Sequence, residues 1–156
     1  MNASVQALRQ IYLFKDLSDE ALAVVAKVAT PRVFEPGHEL CREGGASEGM
    51  FLIRSGTVRV TKGGSETGVV MLGSGSHFGE LALVDDGPRS ASVTAVERCD
   101  VLVVKGPELK QALGSRPEVG APLYFAIAAS IAKRLRATTD DLAFARQLAA
   151  SARHIS

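Results

Sequence analysis

Two stretches near the start of the chain carry apolar side chains at helical spacing. Residues 3–12 and 18–29 are each predicted to form a short helix with one apolar face. The apolar positions are Val5, Leu8, Ile11 and Tyr12 in the first helix and Leu22, Val25, Ala26 and Ala29 in the second. Ser18 is predicted to cap the second helix, because a serine hydroxyl accepts a backbone N–H of the first turn. This helix should end before Pro31, since the residue ahead of a proline avoids helical geometry.

From residue 32 onward the apolar positions change to short strand-like runs separated by glycine-containing turns. Strands are predicted at residues 33–34, 39–41, 50–53, 57–61, 69–72, 91–95 and 101–104. Residues 62–65 are predicted to form an exposed hairpin tip. Many short, evenly spaced strands are typical of a β-barrel or sandwich, and helices on both sides of them indicate an α+β fold.

Helical spacing returns in the last third of the chain. A short helix, with Pro107 near its first turn, is predicted from Gly106 to about Leu113. A long helix is predicted from about Glu118 to residue 150. The long helix has a seam at alternating spacings of four and three, formed by Ile131, Leu135, Thr138, Leu142, Ala145 and Ala149, and Leu123 and Ile127 extend it backwards towards the barrel. The seam can pack on its own barrel or join two chains as a coiled coil. The second interpretation is favoured, because the pattern is longer than one small barrel can cover. Thr138 is the polar exception on this seam.

Composition and charge limit the number of domains and the classes of partner that the chain can have. A chain of 156 residues with 46% hydrophobic and 22% charged residues fits one globular domain with an appended helix. A net charge of +1 supplies no overall attraction to nucleic acid or to an anionic membrane. Cys41 and Cys99 are predicted to be small buried residues, with a disulfide or a redox sensor as the alternative. The start shows no signal-peptide pattern and the longest apolar run, residues 121–132, is too short to span a bilayer, so a cytoplasmic location is expected.

The residues with the clearest chemistry lie between Phe78 and Ala91. Glu80 can accept hydrogen bonds from a hydroxyl, and Arg89 can bind a phosphate in forked geometry. Exposed N–H groups at the start of a short helix here would also favour an anion. These features predict a site for a sugar phosphate, while the alternative is a surface ion pair between Glu80 and Arg89. The three histidines are scattered, and no catalytic or metal-binding spacing is present, so neither an enzyme nor a metal site is predicted.

Residues 78–91, Phe-Gly-Glu-Leu-Ala-Leu followed by Pro-Arg-Ser-Ala, resemble the phosphate-binding cassette of cyclic nucleotide-binding domains. Bacterial cAMP receptor proteins and kinase regulatory subunits contain such domains. The turns at 34–37, 43–44, 51–56 and 72–75 also resemble those of the family. The resemblance implies an eight-stranded, jelly-roll-like β-roll flanked by N-terminal helices and a long C-terminal dimerisation helix. Residues 1–116 would form the nucleotide-binding part, including the short helix after the barrel, and residues 117–156 the long helix.

The resemblance also implies roles for individual residues. Arg89 and Ser90 would hold the exocyclic oxygens of the cyclic phosphate, and Glu80 would accept from the ribose 2′-OH with Gly79 close by. Backbone N–H groups near Leu81, Ala82 and Ala91 would assist at the phosphate.

On the base side, the resemblance implies that Val60 and Val69 line the pocket, although their spacing alone is that of ordinary core valines. Residues 133–139 resemble the stretch that meets the purine in bacterial cAMP receptors. Arg134, Thr138 and Thr139 would lie there, with one hydroxyl reaching the base of its own chain and the next that of the partner chain.

The function implied is that of a cyclic nucleotide sensor that forms a homodimer and signals to an unknown partner protein through its long helix. Ser90 favours cAMP, with cGMP or another cyclic nucleotide as alternatives. The basic side chains of 133–136 are interpreted as a solvated helix face. No pattern for a helix-turn-helix unit follows the long helix, so DNA binding through this chain is not expected. The other possibilities are a protein of the same fold that binds no ligand, the sensor half of a transcription regulator, or a phosphodiesterase.

Overall fold

The computed structural model describes residues 3–63, 69–84 and 87–155, and the side chains of these except 3–4, 138–145 and 148–155. The helices are α1 (Ala3–Arg9), α2 (Asp19–Val28), α3 (Gly106–Leu113) and α4 (Pro117–Ile155), and short 3₁₀ helices span Tyr12–Phe14 and Glu80–Leu83. The strands are β1 (Ala29–Phe34), β2 (Glu39–Cys41), β3 (Met50–Ser55), β4 (Val58–Thr61), β5 (Val70–Leu72), β6 (His77–Phe78), β7 (Ser92–Ala95) and β8 (Cys99–Val104). The predicted hairpin tip at 62–65 lies partly outside the described residues.

The eight described strands form two antiparallel four-stranded sheets. One sheet has the order β1-β8-β3-β6 and the other the order β2-β7-β4-β5. This arrangement confirms the eight-stranded β-roll with flanking helices.

Strands β3 and β8 separate two apolar cores. One face of this sheet, with Phe51 and Val103, packs against the second sheet. The opposite face, with Leu52 and Val104, packs against the helices. Both strands are therefore buried on both faces, which explains why their sequences are continuously apolar and do not alternate.

The N-terminal region differs from the prediction in two places. Helix α1 ends at Arg9, and Tyr12 lies in the following 3₁₀ helix with 70% of its surface exposed, so it does not share the buried face of Leu8 and Ile11. Ala29 was predicted on the second helix but begins β1, and Pro31 lies within that strand. β1 is an edge strand, which is where a sheet tolerates a proline, because one side of such a strand has no neighbour to bond. Ser18 caps α2 as predicted, accepting from the N–H of Ala21 at 3.1 Å.

Helix α4 divides its apolar seam between two environments. Leu123 and Ile127 are buried in the helix-side core, and Ile131 is partly buried against it. Leu135 follows on the seam with 64% of its surface exposed. The side chains of Thr138, Leu142, Ala145 and Ala149 lie outside the described residues. The helix-side core thus covers the seam as far as about Ile131.

Two further features concern the chain as a whole. Cys41 is half-buried and Cys99 buried, and both are free thiols. Among the described helices, none is long and apolar enough to cross a membrane.

Candidate functional site

The loop that carries the predicted phosphate site begins where β6 ends. Gly79 adopts a left-handed conformation, with φ of +80°, and turns the chain into the 3₁₀ helix Glu80–Leu83. The N–H of Ala82 donates to the carbonyl of Gly79 at 3.0 Å, which closes this turn. Glycine adopts this conformation at little cost, so the sequence sets the abrupt change of direction.

This loop forms one wall of a cavity of about 170 Å³, enough for on the order of ten water molecules. The predicted residues that line the cavity are Val60, Gly79, Glu80, Leu81, Ala82, Arg89, Ser90, Ala91 and Arg134. Val69, which lies just ahead of β5, is not among the lining residues. The side chains of Thr138 and Thr139 lie outside the described residues. The structure therefore brings together residues from the loop, the second sheet and the long helix.

Arg89 is a buried cation inside this cavity. Its side chain is 8% exposed, and its Nη2 donates to the carbonyl of Gly49. The guanidinium carbon lies 5.2 Å from the centre of the Phe51 ring, which stacks on Phe78 at 4.8 Å. Burial lowers the pKa of Arg89, although a guanidinium stays protonated at neutral pH. A buried cation held by one carbonyl and an aromatic face is available to an anion.

The turn between β2 and β3 holds Arg89 in place. The N–H of Gly44 donates to the carbonyl of Arg89 at 2.9 Å, and the N–H of Arg89 donates to the carbonyl of Gly45 at 3.0 Å. These two bonds continue the pairing of β2 with β7 beyond the strands. Together with the Gly49 carbonyl, they fix both the backbone and the side chain of Arg89.

Glu80 is also buried, with 4% of its surface exposed, and it is held by the long helix. Nη1 of Arg134 lies 2.7 Å from one carboxylate oxygen and donates to the other at 3.0 Å. Nη2 of Arg134 donates to the carbonyl of His77 at 3.0 Å. The alternative interpretation of a surface ion pair between Glu80 and Arg89 does not match these contacts, because both side chains are buried and each has a different partner.

His77 lies beside this ion pair. Its Nε2 is 4.0 Å from Glu80 and 3.2 Å from the hydroxyl of Ser130 on α4. Burial lowers the pKa of His77, with the charge of Glu80 opposing this and that of Arg134 adding to it. His77 is therefore neutral at pH 7, and the cation that neutralises Glu80 is Arg134.

Several lining residues were not among the predicted site residues: Cys41, Ser47, Phe78, Gly87, Pro88 and Val93. Cys41 and Ser47 come from the segment before β3, far from the loop in sequence. Burial raises the pKa of the Cys41 thiol, which the charge of Arg89 opposes in part. Cys41 therefore presents a neutral thiol to the cavity, and its local sequence gives no signal for this position.

The fold and the site define a β-roll with a cavity that is lined by a glycine-containing loop, a buried arginine and a long helix at its edge. A model of the cyclic nucleotide-binding domain matches residues 31–116. The chain belongs to the cyclic nucleotide-binding domain family. This confirms the resemblance on which the site residues were predicted, while the role of each residue stays a prediction.

Two similar proteins are regulators in different settings. The chain is 28% identical over 141 residues to the CRP-like cAMP-activated global transcriptional regulator of Mycobacterium tuberculosis, covering 88% of this chain and 61% of that one. It is 35% identical over 107 residues to the cAMP-dependent protein kinase regulatory subunit of Yarrowia lipolytica, covering 69% and 28%. The chain thus spans only part of the length of both proteins.

A similar solved structure is the Thermus thermophilus catabolite activator protein. It aligns with a TM-score of 0.71 at 30% identity, over 83% of this chain and 61% of that one.

Proposed function

We propose that this protein is a cyclic nucleotide sensor that binds cAMP in the cavity of the 78–91 loop and signals through α4 to a partner protein. The observation that carries the proposal is Arg89, whose Nε is buried in the cavity wall and has no hydrogen-bond partner. A buried donor on a cation is costly unless an acceptor satisfies it, and a phosphate oxygen does so. Glu80 supplies an acceptor for a sugar hydroxyl in the same cavity.

The binding proposal is tested by calorimetry of the full chain with cAMP, cGMP and cyclic di-GMP. We expect one site per chain, with cAMP bound most tightly. A preference for cGMP would support the proposed sensor function and identify cGMP, not cAMP, as the ligand. The absence of heat and of a thermal shift with all three nucleotides would contradict the proposal.

Glu80 is proposed to accept from the ribose 2′-OH. A double-mutant-type cycle isolates this contact, because the 2′-OH of the ligand and the carboxylate of Glu80 are removed singly and together. Wild type should bind cAMP about tenfold or more tightly than 2′-deoxy-cAMP, because a hydrogen bond to a charged group contributes about 1.5–3 kcal/mol. Glu80→Gln should reduce this preference, since the amide keeps the shape of the side chain and loses its charge. Calorimetry with both nucleotides on both proteins gives the coupling directly.

The matched control for Glu80 is Glu97→Gln, which removes an exposed carboxylate that accepts from Thr57 outside the cavity. The Glu97 variant should keep the full preference for cAMP. An equal preference in wild type and Glu80→Gln would assign Glu80 a purely structural role as the partner of Arg134.

We also propose that two chains associate along α4. Leu135 supports this, because it follows Leu123, Ile127 and Ile131, which pack in the helix-side core, and is itself 64% exposed. An apolar seam that continues beyond the surface able to cover it is typical of a helix with a second partner. In a homodimer, the partner's helix would cover Leu135.

Replacing Leu135 with glutamate should convert a dimer into a monomer, because like charges would face each other across an apolar seam. Sedimentation velocity of wild type and Leu135→Glu at equal concentrations measures this. Arg136→Glu, at the adjacent exposed position off the seam, is the control and should stay dimeric. A monomeric wild type at high micromolar concentration would contradict the proposed dimer.

A further inference from the structure

The part of the chain that the structure describes has two buried side-chain polar atoms without a hydrogen-bond partner. They are Nε of Arg89 and the hydroxyl oxygen of Ser47. Both residues line the cavity of the 78–91 loop. Since buried polar atoms in folded proteins nearly always have a partner, two such atoms in one cavity indicate a ligand that satisfies them.

The chemistry of the two atoms restricts that ligand. Nε of Arg89 only donates, whereas a serine hydroxyl donates and accepts. Nε of Arg89 and the hydroxyl oxygen of Ser47 do not bond to each other. A group that satisfies both must accept at least the bond from Nε, and an anionic oxygen can accept from both atoms at once.

The turn that carries Ser47 holds it in register with Arg89. Gly44 and Gly45 bond to the backbone of Arg89 on one side of Ser47, and the Gly49 carbonyl accepts from its guanidinium on the other. Ser47 therefore lies between two points of attachment to the same arginine. Ser47 is thus part of the cavity wall, although it lies about thirty residues before the 78–91 loop in sequence.

We infer that the Ser47 hydroxyl is a direct ligand contact, which donates to an oxygen of the cyclic phosphate held by Arg89. This inference rests on the proposed function and extends the site to a second, separate segment of the chain. The unpartnered Oγ has no bond to protein atoms, so its loss costs the unliganded protein nothing in hydrogen bonding.

Calorimetry of Ser47→Ala with cAMP tests the contact. We expect binding to weaken about tenfold, as for the loss of a hydrogen bond to a charged group. The melting temperature of the unliganded variant should stay the same or rise, because a buried unsatisfied hydroxyl is removed. Ser55→Ala is the matched control, since its exposed hydroxyl bonds to Asp100 away from the cavity, and it should bind cAMP as wild type does.

Phosphorothioate analogues of cAMP identify the atom involved. Sulfur is a poorer acceptor than oxygen, so wild type should discriminate between the Rp and Sp analogues, and Ser47→Ala should lose part of that discrimination. A variant that binds cAMP and both analogues like wild type would overturn the role of Ser47 and leave the sensor function intact. A wild type that binds no cyclic nucleotide would overturn both. Weaker binding together with a lower melting temperature of the unliganded variant would make Ser47 a structural residue and also overturn the inference.

Discussion

Replacing Arg89 with alanine should weaken cAMP binding by about 10- to 150-fold, the equivalent of about 1.5–3 kcal/mol for a lost charge-assisted contact. The reason is the position of its guanidinium, which is buried in the cavity wall with one nitrogen lacking a partner. Calorimetry on wild type and Arg89→Ala gives the loss directly. Arg89→Lys should recover only part of the affinity, because an ammonium keeps the charge and lacks the planar fork.

The control for this experiment is Arg98→Ala. Arg98 is largely exposed and lies 3.9 Å from Glu35, outside the cavity, so its loss should leave the affinity unchanged. The unliganded Arg89→Ala variant should remain folded, since the buried charge that it removes is costly to desolvate. Unchanged cAMP affinity in this variant would place the phosphate elsewhere and contradict the proposed site.

Replacing Gly79 with alanine should abolish most of the ligand affinity without touching a ligand-binding side chain. A Cβ at this position would overlap Nη1 of Arg89, so the guanidinium would have to leave its place between Phe51 and the Gly49 carbonyl. The same variant should lose stability, because alanine is strained by about 1–2 kcal/mol at a φ of +80°. Calorimetry and thermal unfolding measure the two effects separately.

Gly37 offers a control matched in backbone conformation. Its φ is +87°, and a Cβ there would meet no atom within 4 Å. Gly37→Ala should therefore lose a similar amount of stability and keep its affinity for cAMP. If both variants lost affinity equally, strain or partial unfolding would explain the effect, and the displacement of Arg89 would not.

The elements that the sequence predicted well are those that local chemistry specifies. The Ser18 cap and Pro107 near the start of α3 are signals within one helical turn, and both helices begin where these residues indicate. The errors at Tyr12 and Ala29 arose where helical spacing continued past the end of a helix. At Ala29, the pairing of β1 with β8 decided the structure, and this pairing joins residues about seventy positions apart. At Tyr12, the backbone N–H donates to the carbonyl of Gly75, which is similarly distant in sequence.

The candidate site shows the same division. Gly79–Ala82 and Arg89–Ala91 belong to one contiguous loop, so they were predicted together, and both segments line the cavity. Ser47 lies on a turn whose sequence indicates only a change of direction. Its place opposite Arg89 depends on the antiparallel pairing of β2 with β7, which no local pattern reveals. The pairing of Glu80 with Arg134 likewise depends on how α4 packs against the barrel.

Gly49 has a consequence for surveys of related genomes. It does not line the cavity, but its carbonyl holds the guanidinium of Arg89, and a Cβ there would overlap the Val104 carbonyl of the neighbouring strand. A homologous sequence that keeps the Arg89 motif and replaces this glycine would have to shift the carbonyl that orients the arginine. A survey that counts family members by the loop motif alone therefore leaves out a residue on which the position of the arginine depends in this chain.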